Sequence, residues 1–249
     1  MSGAPTPARL DPTAFRALTF DVVGTLVDFE TGILDFLRPW ARTHGLAASE
    51  VDLLEAFARG EARYEVEMPD RPFRAIVRAI YRDLAHDWHV PYEARDADAF
   101  ADSIASWPAF PDAVEALAYL GEHYVLAAIT NADRFSLEAM AATLGDPFDR
   151  AFTADRAGAH KPARAMFDYA LDALAENGIP RDRILHVAQS QYHDIVPARA
   201  LGLTTVWLER RHDQDGWGAT PAPQEAAEPD LRITTLTELV TLHRSFGPV

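Results

Sequence analysis

The feature that most constrains the fold is a regular alternation of short apolar runs with longer amphipathic stretches over the second half of the chain. The apolar runs have the length of buried strands, and the amphipathic stretches carry apolar residues at helical spacing. This alternation predicts an α/β protein with a doubly wound parallel sheet and helices on both faces. The predicted strands are Tyr124–Thr130, Arg150–Thr153, Ile184–Val187 and Thr204–Leu208, and the predicted helices are Pro111–His123, Asp133–Leu144, Ala163–Asn177 and Asp194–Leu201.

A further strand comes earlier, and a block with helical patterns only separates it from the rest. Ligands of open α/β sheets bind outside the carboxyl ends of the strands. We therefore expect residues 32–107 to form a helical cap subdomain, inserted after the first strand into an α/β core made of residues 15–31 and 108–249. The predicted helices of this cap are Gly32–His44, Ser49–Val66, Phe73–Trp88 and Ala94–Ser106.

The remaining segments are predicted from their composition. Residues 1–14 are expected to be a flexible tail, since the start of the chain is rich in proline and alanine and has no periodicity. Arg210–Pro229 is polar and rich in glycine and proline, which predicts a surface loop. Leu231–Val240 is expected to complete the core.

The first strand ends in an acid followed by a turn. The stretch Leu18–Asp28 reads Leu-Thr-Phe-Asp-Val-Val-Gly-Thr-Leu-Val-Asp. The apolar run stops at Asp21, and Gly24 permits a turn that other residues enter with difficulty. A carboxylate at this place is costly unless N–H groups or a cation hold it. Asp21 is therefore either a simple strand-capping residue or part of a binding site.

Polar residues also follow the other predicted strands. Thr130 and Asn131 end the second strand, although both are common at helix N-termini as well. Lys161 is the only lysine among the 23 lysines and arginines, which favours a position that needs a compact ammonium rather than a surface position. Gln189 follows the strand Ile184–Val187, and Asp194 begins the next helix, where capping is the alternative role.

Taken in order, these strand ends resemble the four motifs of the haloacid dehalogenase superfamily, over about Phe15 to Val240. The resemblance implies that Asp21 is a nucleophile and that Thr130 binds an oxyanion. It also implies that Lys161 lies beside Asp21 and that Asp194 belongs to the fourth motif.

Val23 distinguishes between the branches of this family. Phosphatases carry a general acid at this position and another acid where this chain has Gln189, and neutral amides are poor ligands for magnesium. The chain therefore looks most like the L-2-haloacid dehalogenase branch, and we expect no metal and no cofactor unless it is a phosphatase that uses magnesium. His186 and His193 have no third histidine at metal-binding spacing, so a structural or solvent-facing role is expected for them.

The resemblance also implies a mechanism and a set of binding residues. Asp21, oriented by Thr25 and Lys161, would displace halide from a short 2-haloacid and form an ester. Water activated by Asp194 would then hydrolyse that ester. The expected substrate-binding residues are Thr130 and Asn131 for the carboxylate, Arg59 of the cap for the halide, with Arg63, Arg71 and Arg74 as competitors, and Gln189, Gln191 and Phe167 in the pocket.

Several alternatives stay open at this stage. Phe167, Gln189 and Gln191 depart from the tyrosine, serine and asparagine that are usual in the dehalogenases. The same ester chemistry on a strained ring or another non-halogen leaving group of a small carboxylate is therefore a second hypothesis. A magnesium-dependent phosphatase and a non-catalytic binding protein are the others, and retention of Asp21, Lys161 and Asp194 argues against the last.

Composition restricts the classes of partner that we expect for the chain. The chain has 249 residues, no cysteine and a formal net charge of -15, so disulfides and thiol chemistry are excluded and a nucleic-acid partner is disfavoured. No apolar stretch reaches the length of a membrane span and no leader pattern begins the sequence. We expect a cytoplasmic protein that binds a small anionic substrate, and a homodimer is left open.

Overall fold

A computed structural model describes residues 10–247 and contains one six-stranded parallel sheet in the order β3-β2-β1-β4-β5-β6. The predicted α/β fold with a doubly wound sheet is confirmed. All pairings between neighbouring strands are parallel. The strands are β1 Ala17–Phe20, β2 Val125–Thr130, β3 Arg150–Thr153, β4 Ile184–Ala188, β5 Thr204–Leu208 and β6 Leu231–Ile233.

The strand order reverses at β1, and this reversal positions the site. β1 is paired with β2 on one side and with β4 on the other, so that Phe20 lies opposite both Ala128 and Val187. All four residues of β1 are buried, as expected for a central strand covered on both faces. The residues that follow β1, β2 and β4 therefore meet at one edge of the sheet, which is the usual ligand position in such folds.

Between β1 and β2 the described chain contains helices and no strand of the sheet. We call residues 29–106, which hold α1 to α4, the cap. Whether the cap is a separate unit with boundaries at residues 32 and 107 stays a prediction. The helices are α1 Phe29–Thr43, α2 Glu50–Glu67, α3 Phe73–Asp87, α4 Ala94–Ser103, α5 Ala113–Gly121, α6 Arg134–Thr143, α7 Ala154–Ala157, α8 Arg164–Glu176, α9 Val196–Ala200 and α10 Leu236–Ser245.

Close packing joins the cap to the core at α1. Asp28 caps the helix by accepting a hydrogen bond from the backbone N–H of Thr31. One turn later, Gly32 lies against the fully buried ring of Trp107, and a Cβ atom at this position would overlap the ring. Glycine is therefore required here by the close approach of the indole to the helix backbone.

Two predictions about irregular segments need correction. The expected tail of residues 1–14 is too long, because Pro12–Ala14 form a 3₁₀ turn in which Pro12 is buried and accepts a hydrogen bond from Tyr124. Residues 1–9 lie outside the described part of the chain. The loop after β5 is not confined to the surface either, since Ala219 and Thr220 are buried. Its polar composition did not reveal that it covers part of the sheet edge.

Across residues 10–247, no helix combines the length and apolar character that crossing a bilayer would require.

Candidate active site

Asp21 lies just beyond β1 and both of its carboxylate oxygens accept a hydrogen bond. Lys161 Nζ donates to Oδ1 at 2.7 Å, and Thr25 Oγ1 donates to Oδ2 at 2.6 Å. Thr25 is within reach because the chain turns at Gly24, whose φ of +85° is in the left-handed region. The structure brings together the predicted group of Asp21, Thr25 and Lys161.

Lys161 is almost completely buried, and its ammonium is shared among three acceptors. Nζ donates to Asp21, to Asp194 Oδ1 at 2.8 Å and to the backbone carbonyl of Ile129 at 2.8 Å. An ammonium has three protons, so this set uses all of them. Burial alone would lower the pKa of Lys161, but the two carboxylates outweigh it and raise that pKa above its ordinary value.

Asp194 lies behind Lys161 in a π-helical turn, Gln191–Ile195, that precedes α9. Its Oδ1 accepts from Lys161 and lies 3.1 Å from Nε2 of His186. Burial raises the pKa of Asp194, but Lys161 and His186 act more strongly in the other direction and bring it below its usual range. Asp194 is fully buried and holds the Lys161 ammonium in place, and its activation of water stays a prediction.

The pKa of Asp21 moves in the opposite direction from that of Asp194. Burial raises it, the negative charge of Asp194 adds to that effect, and Lys161 and Thr25 oppose it without cancelling it. Asp21 therefore depends on its two donors for its ionised form.

A small cavity, with a volume of about 30 Å³, adjoins Asp21 and Lys161. The core contributes the apolar side chain of Val23 beside the carboxylate, and the cap contributes three side chains. Residues after β2 and β4 and one residue of the loop after β5 complete the lining. The lining residues from the cap and from that loop are Phe29, Glu61, Phe73 and Thr220.

Helix α2 brings two acids into the site that the sequence analysis did not single out. Glu65 accepts a hydrogen bond from Asn131 Nδ2 at 2.6 Å and lies 2.8 Å from Nε2 of His193. Burial alone would lower the pKa of His193, but the Glu65 carboxylate outweighs it and raises this pKa to about 9. His193 is therefore protonated at neutral pH and joins the core to the cap, which is a structural role, the first of the two that were expected for it.

Glu61 is one turn before Glu65 and lines the cavity. Glu61 is 5% exposed, and within residues 10–247 its carboxyl group has no hydrogen bond or ion pair. Burial and the neighbouring Glu65 raise the pKa of Glu61 to about 8. A sequence signal for both acids did exist, because Phe57, Glu61 and Glu65 are four residues apart and share one face of α2.

Because His193 is protonated, the hydroxyl group of Ser190 keeps a hydrogen that it can donate to a ligand. Ser190 Oγ accepts a hydrogen bond from the backbone N–H of His193 at 2.9 Å and lies 3.3 Å from its Nδ1. An imidazolium donates from both ring nitrogens, so the hydroxyl acts as acceptor in both contacts. Its own hydrogen remains free to point into the cavity, which Ser190 also lines.

The structure does not bring Arg59 to the cavity. Its side chain is 68% exposed and pairs with Glu55 at 3.9 Å. Arg63 and Arg74 pair with acids of the cap, Asp83 and Asp102. Among the described residues that line the cavity there is no arginine, so the structure brings neither Arg59 nor its competitors Arg63, Arg71 and Arg74 to the cavity.

Three further predicted binding residues do not line the cavity and make other contacts. Thr130 Oγ1 accepts from the backbone N–H of Ala132 at 3.1 Å, and Phe167 packs edge-on against His186. The amide of Gln191 bonds to both backbone groups of Ala227. Asn131 and Gln189 do line the cavity, as predicted.

Magnesium fits the available donors poorly. The carboxylates of Asp21 and Asp194 already share the Lys161 ammonium, and Val23 offers no side-chain oxygen. The Oε1 atom of Gln189 accepts from Thr220 at 3.2 Å. Within residues 10–247 no three histidine or acidic side chains are grouped as metal ligands would be. Hard cations need several oxygen ligands, preferably anionic, so this set does not suit one, and the absence of a cofactor stays a prediction.

Comparison with known proteins identifies the wider family of this arrangement. A family model described as haloacid dehalogenase-like hydrolase matches residues 15–202. A ribulose-1,5-bisphosphate 5-phosphatase of Halopiger xanaduensis is 31% identical over 66% of this chain and 72% of its own length. A pyrimidine 5′-nucleotidase of Escherichia coli is 35% identical, but the match covers only 31% of this chain and 34% of that protein.

A crystal structure with a similar fold is that of the L-2-haloacid dehalogenase PA0810. It has a TM-score of 0.75 and 24% sequence identity, and the match covers 93% of this chain and 98% of that one. At this level of identity the likeness concerns the fold.

Proposed function

The chain belongs to the haloacid dehalogenase-like hydrolases, and on this premise we propose that it hydrolyses short 2-haloacids through a covalent ester of Asp21. The observation that carries the proposal is the environment of the Asp21 carboxylate. It has a donor on each oxygen, and the apolar Val23 stands beside it where an acid would serve phosphate ester cleavage.

In the first step, an oxygen of Asp21 attacks the halogen-bearing carbon. The carbon–halogen bond breaks, its electron pair leaves with the halide, and Asp21 becomes an ester. Lys161 and Thr25 fix the orientation of the carboxylate through their hydrogen bonds. Phe29 and Phe73 line the cavity and exclude bulk water from the reacting carbon.

In the second step, water attacks the carbonyl carbon of the ester. The negative charge that develops on the Asp21 oxygen is stabilised by the same donors, Lys161 and Thr25. The bond between that carbon and the ester oxygen, which is the Asp21 oxygen that attacked in the first step, then breaks; this releases the 2-hydroxyacid, and one proton passes to solvent. The new oxygen atom consequently stays in the side chain of Asp21.

The substrate carboxylate needs a donor in the cavity. Ser190 supplies a hydroxyl with a free hydrogen, and the positive charge of His193 lies next to it. In this proposal Ser190 takes over the role that the sequence analysis gave to Thr130 together with Asn131. The protein therefore accepts a small anionic substrate although its net charge is -15.

Phosphate ester hydrolysis is the second candidate, since both curated relatives are named for phosphatase or nucleotidase activity. A substrate panel separates the two. Chloroacetate, bromoacetate, L-2-chloropropionate and several small phosphate esters are each incubated with the protein, with and without a chelator, and halide and phosphate are measured. We expect halide release that survives the chelator. Release of phosphate that the chelator abolishes, without halide release, would overturn the proposal.

A further inference from the structure

The cavity contains an acid that the proposed mechanism does not use. Glu61 belongs to the cap and lines the same cavity as Asp21. Only 5% of the residue is exposed. Within residues 10–247 its carboxyl group has neither a hydrogen-bond donor nor an ion-paired cation as partner. Its carboxyl group is therefore available to a ligand in the cavity, which can supply the contact that the protein does not.

The charge around Glu61 determines its protonation. Its neighbours include the carboxylates of Glu65 and Asp21, and the opposing charges of His193 and Lys161 act less strongly than burial. The pKa of Glu61 is raised to about 8, so at neutral pH the group is a neutral carboxylic acid. A protonated carboxyl has an O–H donor that an ionised one lacks.

We infer that Glu61 is the leaving-group residue, which donates a hydrogen bond to a departing fluoride, and that 2-fluoroacids are within the substrate range. This inference rests on the proposed function and adds the group that binds the leaving atom. Within the described residues, the cavity contains no arginine that would serve a halide instead.

Fluoride leaves in the first step of the reaction. Asp21 forms its bond to the carbon while the carbon–fluorine bond breaks, and both bonding electrons leave with fluorine. Fluoride departs with the O–H of Glu61 directed at it, and Glu61 keeps its proton. Hydrolysis of the ester then releases the hydroxyacid and one proton, as for the other halides.

Fluoride is the halide for which such a donor matters most. Hydrogen fluoride is a weak acid, whereas hydrogen chloride and hydrogen bromide are strong acids, so fluoride is much the best hydrogen-bond acceptor of the three. A donor aimed at charge that develops in the transition state commonly contributes about 100-fold or more in rate. A carboxylate at the same place would instead repel every departing anion.

The test compares release of fluoride, chloride and bromide from fluoroacetate, chloroacetate and bromoacetate. Glu61→Leu removes the donor at similar volume, and we expect fluoride release to fall about 100-fold while chloride and bromide release fall less than about tenfold. Glu61→Gln keeps an N–H donor, so this variant should retain most of the fluoride release of the unmodified protein. Glu55→Gln, on the exposed side of the same helix, is the control and should resemble the unmodified protein.

The pH profile gives a second readout that a purely structural role would not change. Fluoride release by the unmodified protein should decline as the pH rises through about 8, where Glu61 ionises. In the Glu61→Gln variant this alkaline decline should disappear, because the amide does not titrate.

The outcomes separate this inference from the proposed function. If the protein releases chloride and bromide but no fluoride, or if Glu61→Leu reduces all three equally, the role of Glu61 is wrong and the proposed function stands. If no halide is released from any of the three acids, the proposed function fails and the inference fails with it.

Discussion

At the scale of single residues, Lys161 determines how Asp21 behaves. One ammonium binds the carboxylates of Asp21 and Asp194 and a backbone carbonyl, and a planar guanidinium would not fit the same three acceptors. Asp194 and His186 hold the ammonium from behind, so that they act on the chemistry through Lys161. A single lysine in an arginine-rich chain was therefore an informative signal, because its chemistry is not interchangeable with that of arginine.

Glu61 leads to a prediction about stability and pH. Its carboxyl binds a proton in the folded state up to about pH 8, whereas an unfolded glutamate releases it near 4.5. The folded state therefore binds more protons between these values, and stability falls as the pH rises through that window. Replacing Glu61 by glutamine removes this dependence and should stabilise the protein at pH 7 by roughly 1–3 kcal/mol.

Urea unfolding at pH 5 and pH 7.5 measures this effect. The advantage of Glu61→Gln over the unmodified protein should be small at pH 5 and larger at pH 7.5. Glu67→Gln, in an exposed ion pair on the same helix, should show no such trend. Equal pH dependence of the Glu61→Gln variant and the unmodified protein would show that Glu61 is ionised in the folded state.

At the scale of elements, the rotation of α2 explains why Arg59 does not line the cavity. Phe57, Glu61 and Glu65 share the face that packs toward the core, and Arg59 is two residues from Phe57, which places it about 200° around the helix. A loose motif alignment gives the position of a residue along a helix but not its rotation. The apolar residues of α2 did define the buried face, and two acids on that face were the overlooked evidence of a site.

The strand ends were predictable because each is fixed by local sequence. A buried apolar run that stops at a polar residue places Asp21, Thr130 and Gln189 at the same edge of a parallel sheet. What each side chain contacts there was not predictable. Thr130 and Gln191 are bound to backbone groups nearby in the fold, and only coordinates reveal such local hydrogen bonds.

The contact of α1 with Trp107 yields a test of cap packing. Gly32→Ala adds a methyl group that overlaps the indole ring, and we expect a loss of about 1–3 kcal/mol in the free energy of unfolding. Gly121→Ala, at the end of α5, is the matched control, because its methyl group would be 3.5 Å from Leu126 and in ordinary contact. Thermal or urea unfolding of both variants measures the difference, and similar stabilities would contradict the packing described for α1.

At the scale of the whole molecule, the site is assembled from the sheet edge, the cap and the loop after β5. Glu30 of α1 accepts a hydrogen bond from the backbone N–H of Ala219 at 2.8 Å and pairs with Arg211, which draws the loop over the cavity. Thr220 then reaches Gln189. Composition predicted a surface loop here because glycine- and proline-rich segments usually are exposed. The contacts that half-buried Glu30 makes with this loop override that tendency.

The central claim is that Asp21 forms a covalent ester that water opens at the carbonyl carbon. A single turnover of bromoacetate in water enriched in heavy oxygen tests it most directly, with mass spectrometry of the peptide that contains Asp21 and of the glycolate product. The account predicts heavy oxygen in the Asp21 side chain and none in the product of that first turnover, and no turnover at all by Asp21→Asn. Heavy oxygen in the product alone, with Asp21 unlabelled, would mean that water attacks the substrate directly and would contradict the account.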